Sequence, residues 1–82
     1  MSTLITINLS TLYTKTAKLS DLPGYEAEAL KQAGEGNEIT LTGAAPVWLY
    51  LRIAHALHGK AKQLIYNSPV TDNVEIFNHN PF

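Results

Sequence analysis

Two helix-like stretches, each opened near a proline and each flanked by runs of period-two alternation, constrain this chain more than any other feature. Residues 3–9 alternate apolar and polar side chains and are rich in β-branched residues, which predicts a first strand. Pro23-Gly24 introduces residues 25–33, where Glu26, Glu28 and Lys31 surround Ala27, Ala29 and Leu30. A proline near the start and acids in the first turn favour a helix there. Gly34-Glu35-Gly36-Asn37 closes it with turn chemistry. Glu38–Thr42 alternates again and reads as a strand. Gly43-Ala44-Ala45 follows, with Pro46 in the position of a first helical residue, and residues 47–58 form the best helix of the sequence, ending at Gly59. Residues 62–66 and 73–77 read as two strands joined through Asn67-Ser68-Pro69 and Asp72-Asn73. Residues 10–20 show no clear period and read as a loop or an edge strand. The order β-α-β-α-β-β predicts an α+β sandwich, ferredoxin-like or Rossmann-like, in a single domain over residues 1–82.

Composition narrows the function classes. With 45% hydrophobic and 16% charged residues the chain has enough apolar surface to fold, and its 82 residues leave no room for a second module. A domain of this size buries only about 60% of its unfolded surface, which favours a homo-oligomer. The absence of cysteine removes disulfides, thiolate nucleophiles and Cys-based zinc sites. A net charge of −1 supplies no bulk field toward duplex DNA or an anionic membrane. No stretch approaches the roughly 20 apolar residues of a membrane span, and the alternating start does not resemble a signal peptide. A cytoplasmic location is expected.

The candidate chemistry begins on the second helix. On a wheel at about 100° per residue, Trp48, Arg52, His55 and Gly59 share one stripe, with His58 at its edge. Val47, Tyr50, Leu51, Ala54 and Leu57 fill a broad apolar flank, with Leu49 and Ile53 on the other side, so burial on most sides is expected. Arginine offers forked donors to phosphate, an aromatic ring can stack a base, and imidazole moves protons or binds metals near neutral pH. The small residues Gly43-Ala44-Ala45 before Pro46 let a ligand approach free helix N–H groups, which favour an anion. The turn matches neither phosphate-loop signature. Near the C-terminus lie Asn67, Ser68, Asp72, Glu75 and the trio Asn78-His79-Asn80. The Asn, Ser and Asp at the turn are first explained as turn chemistry, whereas the trio, which follows an apolar strand, is not so readily explained. A His-plus-carboxylate group drawn from them suits Mn²⁺ or Mg²⁺, although the spacing matches no strong metal signature.

Thr42-Gly43-Ala44-Ala45-Pro46-Val47-Trp48-Leu49-Tyr50, followed by Ile53-Ala54-His55, resembles the Gly-x-x-Pro-x-Trp-Leu segment of a small CRISPR accessory family. That family is the single-domain ring nucleases of type III CRISPR systems, which have a ferredoxin-like sheet and were first described as manganese-dependent RNA deadenylases. The likeness continues through Leu64-Ile65-Tyr66 and Val74-Glu75-Ile76-Phe77-Asn78-His79, covering roughly residues 39–80. The resemblance implies a homodimer that binds cyclic tetra-adenylate, sandwiches the ring between dimers and cleaves it to linear di-adenylate. It implies ligand contacts at Gly43, Ala44, Ala45, Pro46 and Trp48, with Asn67 and Ser68 on the neighbouring turn. His55 or His58 falls in the region of the family's catalytic histidine, with Arg52 as the phosphate partner. His79 and Asp72 are then the metal candidates, for Mn²⁺ if the reaction uses a metal at all. Where the family has Tyr-Asp-Pro-Arg or Tyr-Glu-Pro-Arg, this chain has Tyr66-Asn67-Ser68-Pro69-Val70, without the acid or the arginine. Two alternatives follow: a non-catalytic binder of the messenger, and a structural dimerisation domain whose Trp48 stripe touches no nucleotide.

Overall fold

Parallel neighbours in a sheet require a crossover of about a dozen residues, usually a helix, and this chain supplies two. A computed structural model describes residues 3–68 and 70–79. The elements are β1 (Leu4–Asn8), α1 (Leu22–Ala33), β2 (Glu38–Thr42), α2 (Val47–Leu57), β3 (Gln63–Ser68) and β4 (Asp72–Asn78). The sheet order is β1-β2-β3-β4, with the first three strands parallel and β4 antiparallel to β3. The α+β sandwich of the expected order is therefore present, with a Rossmann-like parallel part and a C-terminal hairpin.

Two crossovers of the same hand place both helices on one face of the sheet. Ile7, Ile39, Leu41 and Leu64 point to that face and are fully or almost fully buried against Leu49, Ile53 and Leu57 of α2 and Ala29 and Ala33 of α1. Each fully buried Leu or Ile contributes about 1.5–3 kcal/mol relative to exposure. On the opposite face Thr6, Asn8, Asn67 and Glu75 are exposed, which is the alternation read in the strands.

The expectation that α2 is buried on most sides is not met. Leu49, Ile53 and Leu57 form its core line, while Val47 is 74% and Leu51 66% exposed. The physical reason is coverage: two helices cannot roof four strands, and α2 is the last helix before the hairpin. Its Val47–Leu51 flank therefore overlooks an unroofed Ile76 on β4.

Smaller differences concern boundaries. Asn67 and Ser68 belong to β3 and Asp72 and Asn73 to β4, leaving a shorter turn than predicted. Pro46 is the N-cap of α2, with extended backbone, rather than its first helical residue. Residues 10–20 form no strand; the segment begins in a 3₁₀ turn at Leu9–Thr11 and ends in another at Leu19–Asp21. The Tyr13 and Tyr25 rings pack at 6.2 Å there, and the Tyr25 hydroxyl accepts the Lys18 N–H at 3.1 Å. Pro69 of the predicted turn and Asn80 of the terminal trio lie outside the described residues. Among the described residues no helix is long and apolar enough to cross a membrane.

Candidate functional site

The carboxyl ends of β1, β2 and β3 share one edge of the sheet, the usual place for ligands in open sheets of this kind. The Gly43-Ala44-Ala45 turn emerges from that edge. Gly43 has φ +105°, a backbone state that side-chain-bearing residues rarely adopt. Asn8 explains the close approach: a β-carbon on Gly43 would overlap its side-chain oxygen and sit 3.2 Å from the Leu9 nitrogen. That oxygen is itself held, accepting from the Ser10 N–H at 3.0 Å and the Ser10 hydroxyl at 2.6 Å.

Two tyrosines fix the other side of the turn. Tyr50 donates its hydroxyl to the Gly43 carbonyl, and Tyr13 donates to the Ala44 carbonyl at 2.8 Å. The carbonyls are thus tied back toward the protein. The N–H groups of Ala44, Ala45, Val47 and Trp48 have no acceptor among the described residues, since the first intrahelical bonds come from Leu49 and Tyr50 to the Pro46 carbonyl. Such donors at a helix start receive an anion without a basic side chain.

Burial, reinforced by the neighbouring Tyr66 and Tyr13, raises the Tyr50 hydroxyl above its ordinary 10.0. A phenol raised in the folded chain ionises more readily when unfolded. Its stabilisation is therefore complete below the unfolded value and is lost as pH rises through the folded one. Wild-type stability should fall in that alkaline range. Tyr50→Phe should lose about 0.5–1.5 kcal/mol at neutral pH and shed that part of the alkaline slope, as read from urea melts across pH.

Next to the turn, the Thr42 hydroxyl donates to the Asn67 side-chain oxygen at 3.2 Å, and the Asn67 amide donates to Asn73 at 2.9 Å. Asn67 therefore stands beside Gly43, wired across β2, β3 and β4. Ser68 accepts from the Val70 and Thr71 N–H groups through its hydroxyl, which caps the hairpin turn. Trp48 is partly buried and packs against the core.

The histidines stand elsewhere. His58 caps the far end of α2, and the helix's 11 residues separate it from the turn by about 16 Å. There it meets His79, ring to ring at 4.9 Å, with Phe77 at 5.2 Å from His58 and 4.8 Å from His79. Two residues assigned different roles in the sequence, one acid/base and one metal ligand, thus form a single exposed pair. His55 is exposed on α2 with no side-chain partner among the described residues. Arg52 does not face the turn. Its guanidinium pairs with Glu26 of α1 at 3.0 Å, tying the two helices together.

The paired metal assignment is corrected by strand geometry. Asp72 opens β4 and His79 follows its last residue, so the two lie roughly 20 Å apart along the strand. One chain does not bring them onto one ion, and among the described residues no group of three or more His, Asp or Glu is placed to hold a metal. The residues present do not fit a single-chain Mn²⁺ site built on Asp72 and His79.

Three contributors to the turn escape sequence reasoning. Asn8, Tyr13 and Tyr50 shape the turn through contacts 7 to 35 residues apart along the chain, and no local pattern marks them.

The sheet order and the two crossover helices define a small single-domain α+β fold with a Rossmann-like parallel part. This chain belongs to the CRISPR-associated protein family Cas_csx3, whose match spans residues 13–81. No curated protein matches the chain.

Proposed function

We propose that this CRISPR-associated protein binds cyclic tetra-adenylate and cleaves it to linear di-adenylate. The carrying observation is the turn at 43–46, whose carbonyls are tied back by two tyrosines while its N–H groups remain without acceptors. Such a turn suits the phosphates of a ring nucleotide in a protein whose net charge is −1. The ribose 2′-hydroxyl attacks the adjacent phosphorus and expels the 5′-oxygen, leaving a 2′,3′-cyclic phosphate. The protein then needs orientation, a base for the 2′ proton and an acid for the departing 5′-oxygen. His58 and His79, side by side, suit that exchange.

The turn and the histidine pair occupy opposite edges of one chain, so a ring that meets both lies between copies. The exposed Val47 and Leu51, with Ile76, border an apolar recess of about 230 Å³ and supply a surface for pairing. Val47 directly follows the turn, so pairing there sets two turns side by side, which suits a ring of two-fold symmetry. Leu51→Glu should convert the pair to monomers in sedimentation equilibrium while leaving the circular dichroism spectrum unchanged, because Leu51 is already exposed.

Incubation with cyclic tetra-adenylate, with and without Mn²⁺, tests the reading. Linear di-adenylate at substoichiometric protein is the expected product; intact, unbound ring defeats the proposal. A second reading, binding without turnover, is favoured by Asn67, which stands as an amide where the family carries an acid. Asn67→Asp keeps an acceptor for the Thr42 hydroxyl. Under this second reading it should convert a silent binder into a cleaving enzyme, whereas unchanged silence would remove the amide as the cause.

A further inference from the structure

A separate cavity of about 840 Å³ opens beside the turn, bounded by residues 12–25. Its volume falls within the range of about 300–1,000 Å³ that holds small ligands. Lys15, Lys18 and one carboxylate, Asp21, line it together with the rings of Tyr13 and Tyr25 and the hydroxyls of Thr14 and Thr16. Neither lysine makes an ion pair among the described residues. Elsewhere Arg52 is taken by Glu26 and Lys60 by Glu35, so Lys15 and Lys18 are the unpaired cations on the carboxyl edge of the sheet. Tyr25 is only 7% exposed, its hydroxyl accepts the Lys18 N–H, and its own proton has no acceptor among the described residues. Tyr13 belongs to both places, lining the cavity while its hydroxyl holds the Ala44 carbonyl.

The geometry points to this cavity as a phosphate-binding subsite for a nucleotide, with Lys15 and Lys18 as its cationic contacts and the Tyr25 hydroxyl as a fixed donor. The assignment rests on the reading of the 43–46 turn as a phosphate receiver, and it supplies the positive charge which that turn lacks. A ring phosphate seated on the turn has a neighbouring phosphate within reach of lysine side chains, and the hydroxyls of Thr14 and Thr16 add donors at the rim. Lysine suits this task as a mobile point charge that needs no fixed fork geometry.

The test compares wild type, the double variant Lys15→Ala/Lys18→Ala and the distant control Lys31→Ala, using cyclic tetra-adenylate and inorganic pyrophosphate as probes. The double variant should bind the ring at least about tenfold more weakly and with a shallower salt dependence, while Lys31→Ala binds as wild type. Pyrophosphate should shift the amide resonances of residues 14–18 in wild type and not in the double variant. Ring binding within twofold of wild type in the double variant overturns the subsite and leaves the function standing. If wild type does not bind the ring, the functional reading fails and pyrophosphate decides the subsite alone. Shifts lost on removing the lysines retain it, and their absence in wild type removes it.

Discussion

Gly43→Ala should unfold a large part of the population at temperatures where the wild type is stable. Two costs coincide at this residue. The backbone sits at φ +105°, where an L-residue is strained by about 1–3 kcal/mol. The new methyl also overlaps the Asn8 side-chain oxygen, which cannot swing away without releasing both bonds from Ser10. Together the costs reach about 3 kcal/mol or more, a large share of the 5–15 kcal/mol typical of native domains. For a domain of this length each kcal/mol lowers Tm by about 4–8 °C, so a drop exceeding about 12 °C is expected in a thermal melt. Gly24 provides the opposite case. It lies in α1 without positive φ, and a β-carbon there meets nothing within 4 Å, so Gly24→Ala should raise stability by about 0.5–1 kcal/mol. A Gly43→Ala melt within about 2 °C of wild type would show that the turn and Asn8 separate easily. It would remove the rigid presentation on which the proposed phosphate binding rests.

Much of this fold was legible because local chemistry and tertiary structure agree. Glu38–Thr42 alternates and is a central strand; Pro46 marks the start of α2; the C-terminal alternation is a hairpin. The phase of α2 was not legible, since a helix apolar nearly all round has no unique buried face. The sheet beneath chose Leu49, Ile53 and Leu57, and the absence of a helix over β4 left Val47 and Leu51 outside. The site was half legible for a related reason. A helical wheel records direction around the axis and discards height along it. Trp48, Arg52 and His55 do share a stripe, yet the histidine end of α2 lies about 16 Å from its turn end. The pairing of His58 with His79 depends on β4 returning antiparallel to the start of β3, which no local pattern encodes. Residues 10–20 lacked a period because they are held by tyrosine rings and hydroxyls rather than by a ladder.

Mixing two inactive variants should restore cleavage. Ala44→Glu places a carboxylate where the turn would receive phosphate, and the exposure of Ala44 lets the fold accept it. His58→Ala removes one imidazole of the pair at the other edge. Each variant alone should lose at least about 100-fold in rate, the lower range for removal of a positioned acid or base or of a phosphate site. No motion within one chain brings the two edges together, because α2 spans the distance as a rigid rod packed along Leu49, Ile53 and Leu57. The proposed pairing through Val47 and Leu51 would set turn beside turn and leave the histidines at the outer ends. A ring that touches both kinds of edge therefore lies where the turn edge of one pair faces the histidine edge of another. In an equal mixture of preformed pairs, about a quarter of such junctions combine an intact turn edge with an intact histidine edge. Recovery of roughly that fraction of the wild-type rate, rising with protein concentration, is the expected result. A mixture as silent as its components would mean that turn and histidines do not meet across copies. The histidine pair would then be a surface feature of a binding protein, since its own chain holds it too far from the phosphate to move a proton there.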